Sequence, residues 1–287
     1  MSTAPFVLDR FLKHIPEIER RIEAANLDAI VWGIGPTAWL LPWMRPDLLA
    51  PLRKWTSHDG CRVIPANDLV LMDPAQKGLH SDTVRYKAIV DSLPDRIWCI
   101  NSAWDPINPK TRKPAESGWI HHLTEAAKER VRVQRFRVWD PNTPIYAIDP
   151  KLDGKDRSGE PAPDTIAISP SGTAMLAWKE GARRIGVIGV DMMPHHCHNS
   201  SLYHHQVDVF MAKAAQIMHE AGGALVNLSP VTSLERFATW KPSASSSAPT
   251  SGSVKPEPKP SSNTAFVLAR PATFPLPGCE AGMPDGR

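Results

Sequence analysis

Apolar residues at positions 11, 12, 15, 18 and 22 fall on one face of a helix spanning 7–25, which Pro16 interrupts. The next block, 27–36 (LDAIVWGIGP), is a short apolar run closed by glycines, which predicts a buried strand and its turn. Residues 61–64 (CRVI) and 68–72 (DLVLM) predict two more short strands. Then 82–93 reads as a helix, 96–101 as a strand, 121–131 as a helix and 132–139 as a strand. In the second half, 171–182 predicts a helix that Ser169 or Ser171 would cap and Gly181 would close. Residues 183–192 (RRIGVIGVDM) predict a buried strand, 201–223 a long amphipathic helix ending in glycines, 224–230 another strand and 232–237 a short turn or helix. Strands alternating with helices predict an α/β domain: a mostly parallel sheet with helices on both faces.

Two stretches break this alternation. Residues 141–166 are polar and rich in Gly and Pro, and a loop that long inside a domain is often functional. From Pro242 to Pro260 the sequence is Ser, Pro, Lys and Gly with nothing to form a core, so 1–241 reads as a single domain and 242–287 as a disordered tail. The chain's 287 residues and 42% hydrophobic content suffice for such a domain. Charge nearly cancels, with 33 basic and 30 acidic residues, too little excess to imply nucleic-acid binding by itself. No apolar run reaches the roughly 18 residues of a membrane span. The first residues lack the basic and apolar regions of a secretory signal. Cys61, Cys99, Cys197 and Cys279 show no CxxC spacing, which argues against a disulfide framework or a zinc knuckle and for a reducing, cytoplasmic setting.

Several positions carry candidate chemistry, each beside a plainer role. Gly33, Gly35, Pro36 and Thr37 follow the first strand; such a turn lets a phosphate approach the backbone at a helix start, but an ordinary strand-to-helix turn has the same composition. Asp73 and Asp191 close two strands, where open α/β sheets bind ligands, although Asp73 also suits a helix cap. Ser171, Gly172 and Thr173 form a second helix start, read as an anion site or as an N-cap. His195, His196, His198, His204 and His205, with Cys197 among them, hold nearly half of the 11 histidines. They suit proton transfer, a metal site or a polar loop over a helix start.

The block from Ser171 to Asp191 (SGTAMLAWKEGARRIGVIGVD) resembles the signature of bacterial family 42 sialyltransferases. It is also similar to their relatives, which include MptE-like hydroxymethylpterin diphosphokinases and phage proteins. GIGPT at 33–37, LVLMDP at 69–74 and the segment 202–237 fall in the same order, so the likeness covers roughly residues 28–237. The resemblance implies a Rossmann-like, variant GT-A-like fold and a glycosyltransferase that needs no metal. Its partners would be a nucleotide-sugar and a hydroxyl acceptor, either a glycan or a modified base in phage DNA. Gly33, Gly35, Pro36 and Thr37 would wrap the phosphates, Asp59 and Asp73 would meet the donor, and Ser171, Gly172 and Thr173 would hold the nucleotide from the second helix start. Asp191 would lie at the crevice rim, and His204 or His205 would be the general base. Under the diphosphokinase alternative, Asp59, Asp73 and Asp191 would hold Mg²⁺; a non-catalytic nucleotide binder is the third reading. The chain departs from the family at Ile34, near His58-Asp59-Gly60, and after Asp191, where Met192, Met193 and Pro194 replace tyrosines. His195, His198 or Arg157 would then supply the contact to phosphate oxygen. The premise beneath these assignments is that helix beginnings at Thr37 and Thr173 converge on one phosphate group.

Overall fold

A computed structural model describes residues 9–72, 75, 83–100, 103–104, 118–134, 169–192 and 201–239. Its helices are α1 (Asp9–Leu12), α2 (Ile15–Ala25), α3 (Pro46–Leu49), α4 (Thr83–Asp91), α5 (Glu125–Lys128), α6 (Ser169–Lys179), α7 (Ser201–Glu220) and α8 (Glu235–Thr239). Its strands are β1 (Ala29–Trp32), β2 (Arg53–Ser57), β3 (Asp68–Leu71), β4 (Arg96–Ile100), β5 (Val131–Gln134), β6 (Arg184–Ile188) and β7 (Ala224–Asn227). Turns of 3-10 helix lie at Ala38–Trp43, His58–Arg62 and Trp119–His121.

The seven strands form one sheet in the order β5-β4-β3-β2-β1-β6-β7, and every neighbouring pair is parallel. All four residues of β1 are buried, because the strand lies mid-sheet with elements on both faces. Paired residues in register share a face. Val31, Trp55 and Val187 pack with Met175 of α6 and Met211 of α7 on one side. Ile30, Trp32 and Ile188 pack with Ile18 and Ile22 of α2 and with Leu40 and Leu41 on the other. That second face continues across β3 and β4, where Leu69, Leu71, Ile97 and Cys99 meet Ile89 of α4 and Ala127 of α5. The predicted α/β fold, with helices on both faces of a parallel sheet, is the one observed. Among the described residues no helix is long and apolar enough to cross a membrane.

Three local expectations change. Residues 61–64 do not form a strand: the chain winds into the 3-10 turn 58–62 after β2, sending Val63 to one apolar cluster and Cys61 to another. The helix expected over 121–131 shrinks to α5, because Thr124 accepts the Ala127 N–H and starts a new helix there. The first helix divides into α1 and α2, with Pro16 in the opening turn of α2, where its missing N–H costs nothing. The stretch 141–166 and the tail 242–287 lie outside the described residues.

Candidate functional site

The strand order reverses between β1 and β6. The elements that follow these two strands leave on opposite faces: Leu40 and Leu41 after β1 pack on the α2 side, whereas Val207 and Met211 of α7 after β6 pack on the α6 side. The carboxyl edge of this pair is therefore the switch point, the place where open parallel sheets form a crevice and take ligands. Gly33–Thr37, Asp59 and Asp191 all follow strands at this edge. The ion pair from Glu180 to Arg96 ties the C-terminal end of α6 to the start of β4, on the opposite edge. The first turn of α6, with Ser171 to Thr173, therefore points toward the carboxyl edge. The backbone of His204 and His205 lies in the first turns of α7, which begin on that edge too.

The floor of the crevice is a close approach of two backbones. Gly33 N–H donates to Ile188 O at 3.0 Å and Gly35 N–H to Gly189 O at 2.7 Å, so the hydrogen bonding of β1 with β6 runs on past both strands. A Cβ on Gly35 would lie 2.6 Å from Gly189 O and 2.8 Å from Asp191 Oδ2, and Gly189 itself has φ +71°. Both positions therefore require glycine for reasons of chain contact. Thr37 completes the junction: its N–H and its hydroxyl each reach the Asp191 carboxylate at 2.8 Å, and its Oγ1 accepts the Gly189 N–H at 3.0 Å.

This geometry corrects two expectations. Asp191 is fully buried and faces Thr37, so it forms part of the crevice floor and not its rim. Thr37 opens a 3-10 turn, and its own N–H already has an acceptor in Asp191, so that donor is not available to a phosphate. The second helix start moves as well. α6 begins at Ser169, with Pro170 in its first turn, so Thr173 sits a full turn inside and its hydroxyl bonds back to Ser169 O at 2.7 Å. Ser171 and Thr173 are wholly buried against the sheet. The predicted meeting of two open helix starts is replaced by a carboxylate clamp across the switch point. Asp73, His195, His196, Cys197, His198 and Arg157 lie outside the described residues.

Sequence reading missed several residues that shape this edge. Ser233, beyond β7, donates its hydroxyl to Asp191 O at 3.0 Å and to Met192 O at 2.7 Å, and its N–H to Asp191 O at 2.9 Å. The end of β6 is thus held by Thr37 through the Asp191 side chain and by Ser233 through the backbone. His58, directly after β2, and Met192, four residues beyond the end of β6, have φ of +46° and +49°, a left-handed conformation that side-chain-bearing residues adopt at a cost. His58 is buried, and its Nε2 accepts the Met72 N–H at 3.3 Å. Asp59 is partly buried beside it. The turn is anchored by Trp32, whose indole N–H donates to Gly60 O at 2.8 Å. In sequence, His58-Asp59-Gly60 marks only a departure from a family pattern; the fold shows that this turn stands beside β1.

Among the described residues no three His, Cys, Asp or Glu side chains come together as a metal-ligand set. Of the three carboxylates the Mg²⁺ reading requires, Asp191 is turned to Thr37. Comparison with protein-family models, with curated proteins and with solved structures gave no match to this chain.

Proposed function

We propose that this protein binds a nucleotide-activated sugar at the carboxyl edge between β1 and β6 and transfers the sugar to a hydroxyl acceptor. The observation that carries the reading is the strand-order reversal at β1 and β6, with the two following elements leaving on opposite faces and the α7 turn bearing His204 and His205 beginning beside it. A glycan or a modified, hydroxyl-bearing base in phage DNA supplies the acceptor hydroxyl. The resemblance of residues 28–237 to sialyltransferases supports the reaction type, and the strand-order reversal supports the place.

The chemistry asks little of the protein beyond position and one base. The acceptor oxygen attacks the anomeric carbon, the bond from that carbon to the donor phosphate breaks, and the electron pair leaves with the nucleotide phosphate. The acceptor hydroxyl loses its proton to His204 or His205, since an alcohol is a poor nucleophile until a base takes that proton. The clamp of Thr37 on Asp191 fixes the crevice floor before ligand arrives, which lowers the cost of ordering it on binding.

A thermal-shift screen against CMP-, UDP-, GDP- and TDP-sugars and ATP, each with and without EDTA, tests the reading. A ligand at about 100 times its Kd stabilises the fold by roughly 2.7 kcal/mol, a clear rise in melting temperature. The expected result is a shift with one sugar nucleotide that survives EDTA. A response to ATP alone that EDTA removes favours Mg²⁺-dependent phosphoryl transfer instead, and no response to any of them overturns nucleotide binding.

A further inference from the structure

The guanidinium of Arg62, the last residue of the turn after β2, lies over the ring of Trp39, 6.0 Å from its centroid. The Trp39 indole N–H in turn donates to Ile34 O at 3.3 Å, in the middle of the Gly33–Thr37 turn. Arg62 and Trp39 are both partly buried. Among the described residues Arg62 makes no hydrogen bond through its side chain and no ion pair. Arg21, Arg45, Arg53 and Arg96 differ, each meeting a carboxylate at 2.6 to 2.8 Å. Among the described residues none of its five N–H donors is taken, and an aromatic face restricts where they can go.

The placement of this pair is set by the sheet. β2 is the neighbour of β1 on the side away from β6, so the turn 58–62 stands beside the turn 33–37 at the carboxyl edge. The turn is held firmly. Trp32 grips Gly60 O, a Cβ on Gly60 would collide with the Thr56 hydroxyl, and His58 accepts the left-handed conformation that begins the turn. A planar cation fixed in this way matches a tetrahedral oxyanion, to which guanidinium donates two parallel hydrogen bonds. It also supplies what the crevice floor lacks, because the Thr37 N–H is committed to Asp191.

We infer that Arg62, seated on Trp39, binds a phosphoryl oxygen of the nucleotide at the β1–β6 crevice. The inference rests on the nucleotide reading given above and names the group that recognises its charge.

Titration calorimetry on the full chain tests it with CMP, UDP, GDP and ADP, the four matching nucleosides, and inorganic pyrophosphate, using wild type, Arg62→Gln and Arg62→Lys. For the nucleotide that binds wild type, Arg62→Gln weakens binding at least tenfold, Arg62→Lys weakens it less, and affinity for the matching nucleoside stays the same in all three. Equal nucleotide affinity in wild type and Arg62→Gln overturns the Arg62 assignment and leaves the nucleotide reading standing. If no nucleotide binds, pyrophosphate decides. Pyrophosphate binding that Arg62→Gln abolishes keeps Arg62 as an oxyanion site and removes the nucleotide reading, and no binding of either overturns both. The melting temperature of each variant checks its fold; should Arg62→Gln unfold, Arg62→Lys carries the comparison, a loss of affinity for nucleotide alone supporting the assignment and unchanged affinity overturning it.

Discussion

Thr37 and Asp191, 154 positions apart in sequence, meet through three contacts of 2.8 Å: the Thr37 N–H to Oδ2, and its hydroxyl to both carboxylate oxygens. Both residues are fully buried. The pair joins the turn after β1 to the end of β6, the two strands between which the sheet changes direction. Removing either side leaves a buried polar group without its partner. Thr37→Val is expected to cost about 2 kcal/mol and Asp191→Ala about 3 kcal/mol. The double variant should cost clearly less than the sum, since both remove one interaction. Urea denaturation of the four proteins measures this, and strict additivity would show that the two residues act separately.

Gly35 sits where no side chain fits. Its Cβ would press on a backbone oxygen and on Asp191 at once, and neither can yield without opening the junction. Gly35→Ala is therefore expected to lower stability by at least about 2 kcal/mol, in the range of other overpacked sites. Gly181 gives the contrast. A Cβ there meets nothing within 4 Å, but φ is +105°, so Gly181→Ala should cost only about 1 kcal/mol from backbone strain. Comparing the two urea midpoints separates crowding from conformation, and equal losses would contradict the close approach at Gly35.

Sequence and structure agree where burial alone decides. β1, β3 and β6 read as apolar runs because both of their faces are covered, and β7 at the sheet edge reads as one with only Leu225 buried. β2 escaped notice because Arg53 and Lys54 open it and only Trp55 and Thr56 are buried; its strand conformation comes from pairing with β1 and β3 on either side. The same reason hid the clamp. Glycines at 33 and 35 announce a tight turn, but nothing local to Thr37 names Asp191 as its acceptor. Ser171 and Thr173 read as a helix cap by composition, yet the helix begins one half-turn earlier and buries both. Arg62 carries no local signal, since its significance lies in Trp39 and in the absence of any carboxylate facing it among the described residues.

Asp68, at the start of β3, gathers charge on the opposite edge of the sheet. Its buried carboxylate accepts Arg53 Nε at 2.6 Å, Arg96 Nε at 2.7 Å and the Trp98 indole N–H at 2.9 Å. Arg96 also lies over the ring of Trp98, 4.8 Å from its centroid. Asp68→Ala strips three donors of their acceptor, but Arg53 and Arg96 keep contact with water, so a loss of about 1 to 3 kcal/mol is expected. Because this edge is remote from the crevice, the variant should keep its nucleotide affinity at temperatures where it is folded. A parallel loss of affinity in calorimetry would place Asp68 within the site.

Two thiols, Cys99 buried and Cys61 partly buried, make the fold sensitive to alkali. Burial pushes the Cys99 thiol up to about 12, and burial together with the Asp59 carboxylate pushes Cys61 up to about 12. The unfolded chain releases these protons near pH 8.5, so above that point the native state binds more protons than the unfolded one. The stabilisation is complete below pH 8.5 and is lost as pH climbs toward 12, by up to about 1.4 kcal/mol per pH unit for each thiol. In a Cys197→Ser, Cys279→Ser background, a thiol reagent at pH 8 should label neither cysteine until urea is added. Rapid labelling of the native protein would show that the two thiols are accessible.

His204 and His205 provide the most direct chemical test, because they separate turnover from binding. Both lie in the first turns of α7, on the carboxyl edge of β6. A general base contributes about 10²- to 10⁴-fold to such a transfer. The double variant His204→Ala, His205→Ala should therefore transfer sugar at least about a hundredfold more slowly while its Kd for the donor changes by no more than a few-fold. Each single variant then identifies the base: the histidine whose removal alone reproduces the loss is the one that takes the acceptor proton. Single-turnover assays measure the transfer, and calorimetry with the intact donor measures the binding. Undiminished turnover in the double variant would remove both histidines from the mechanism, while an equal collapse of binding and turnover would make them donor ligands instead of a base.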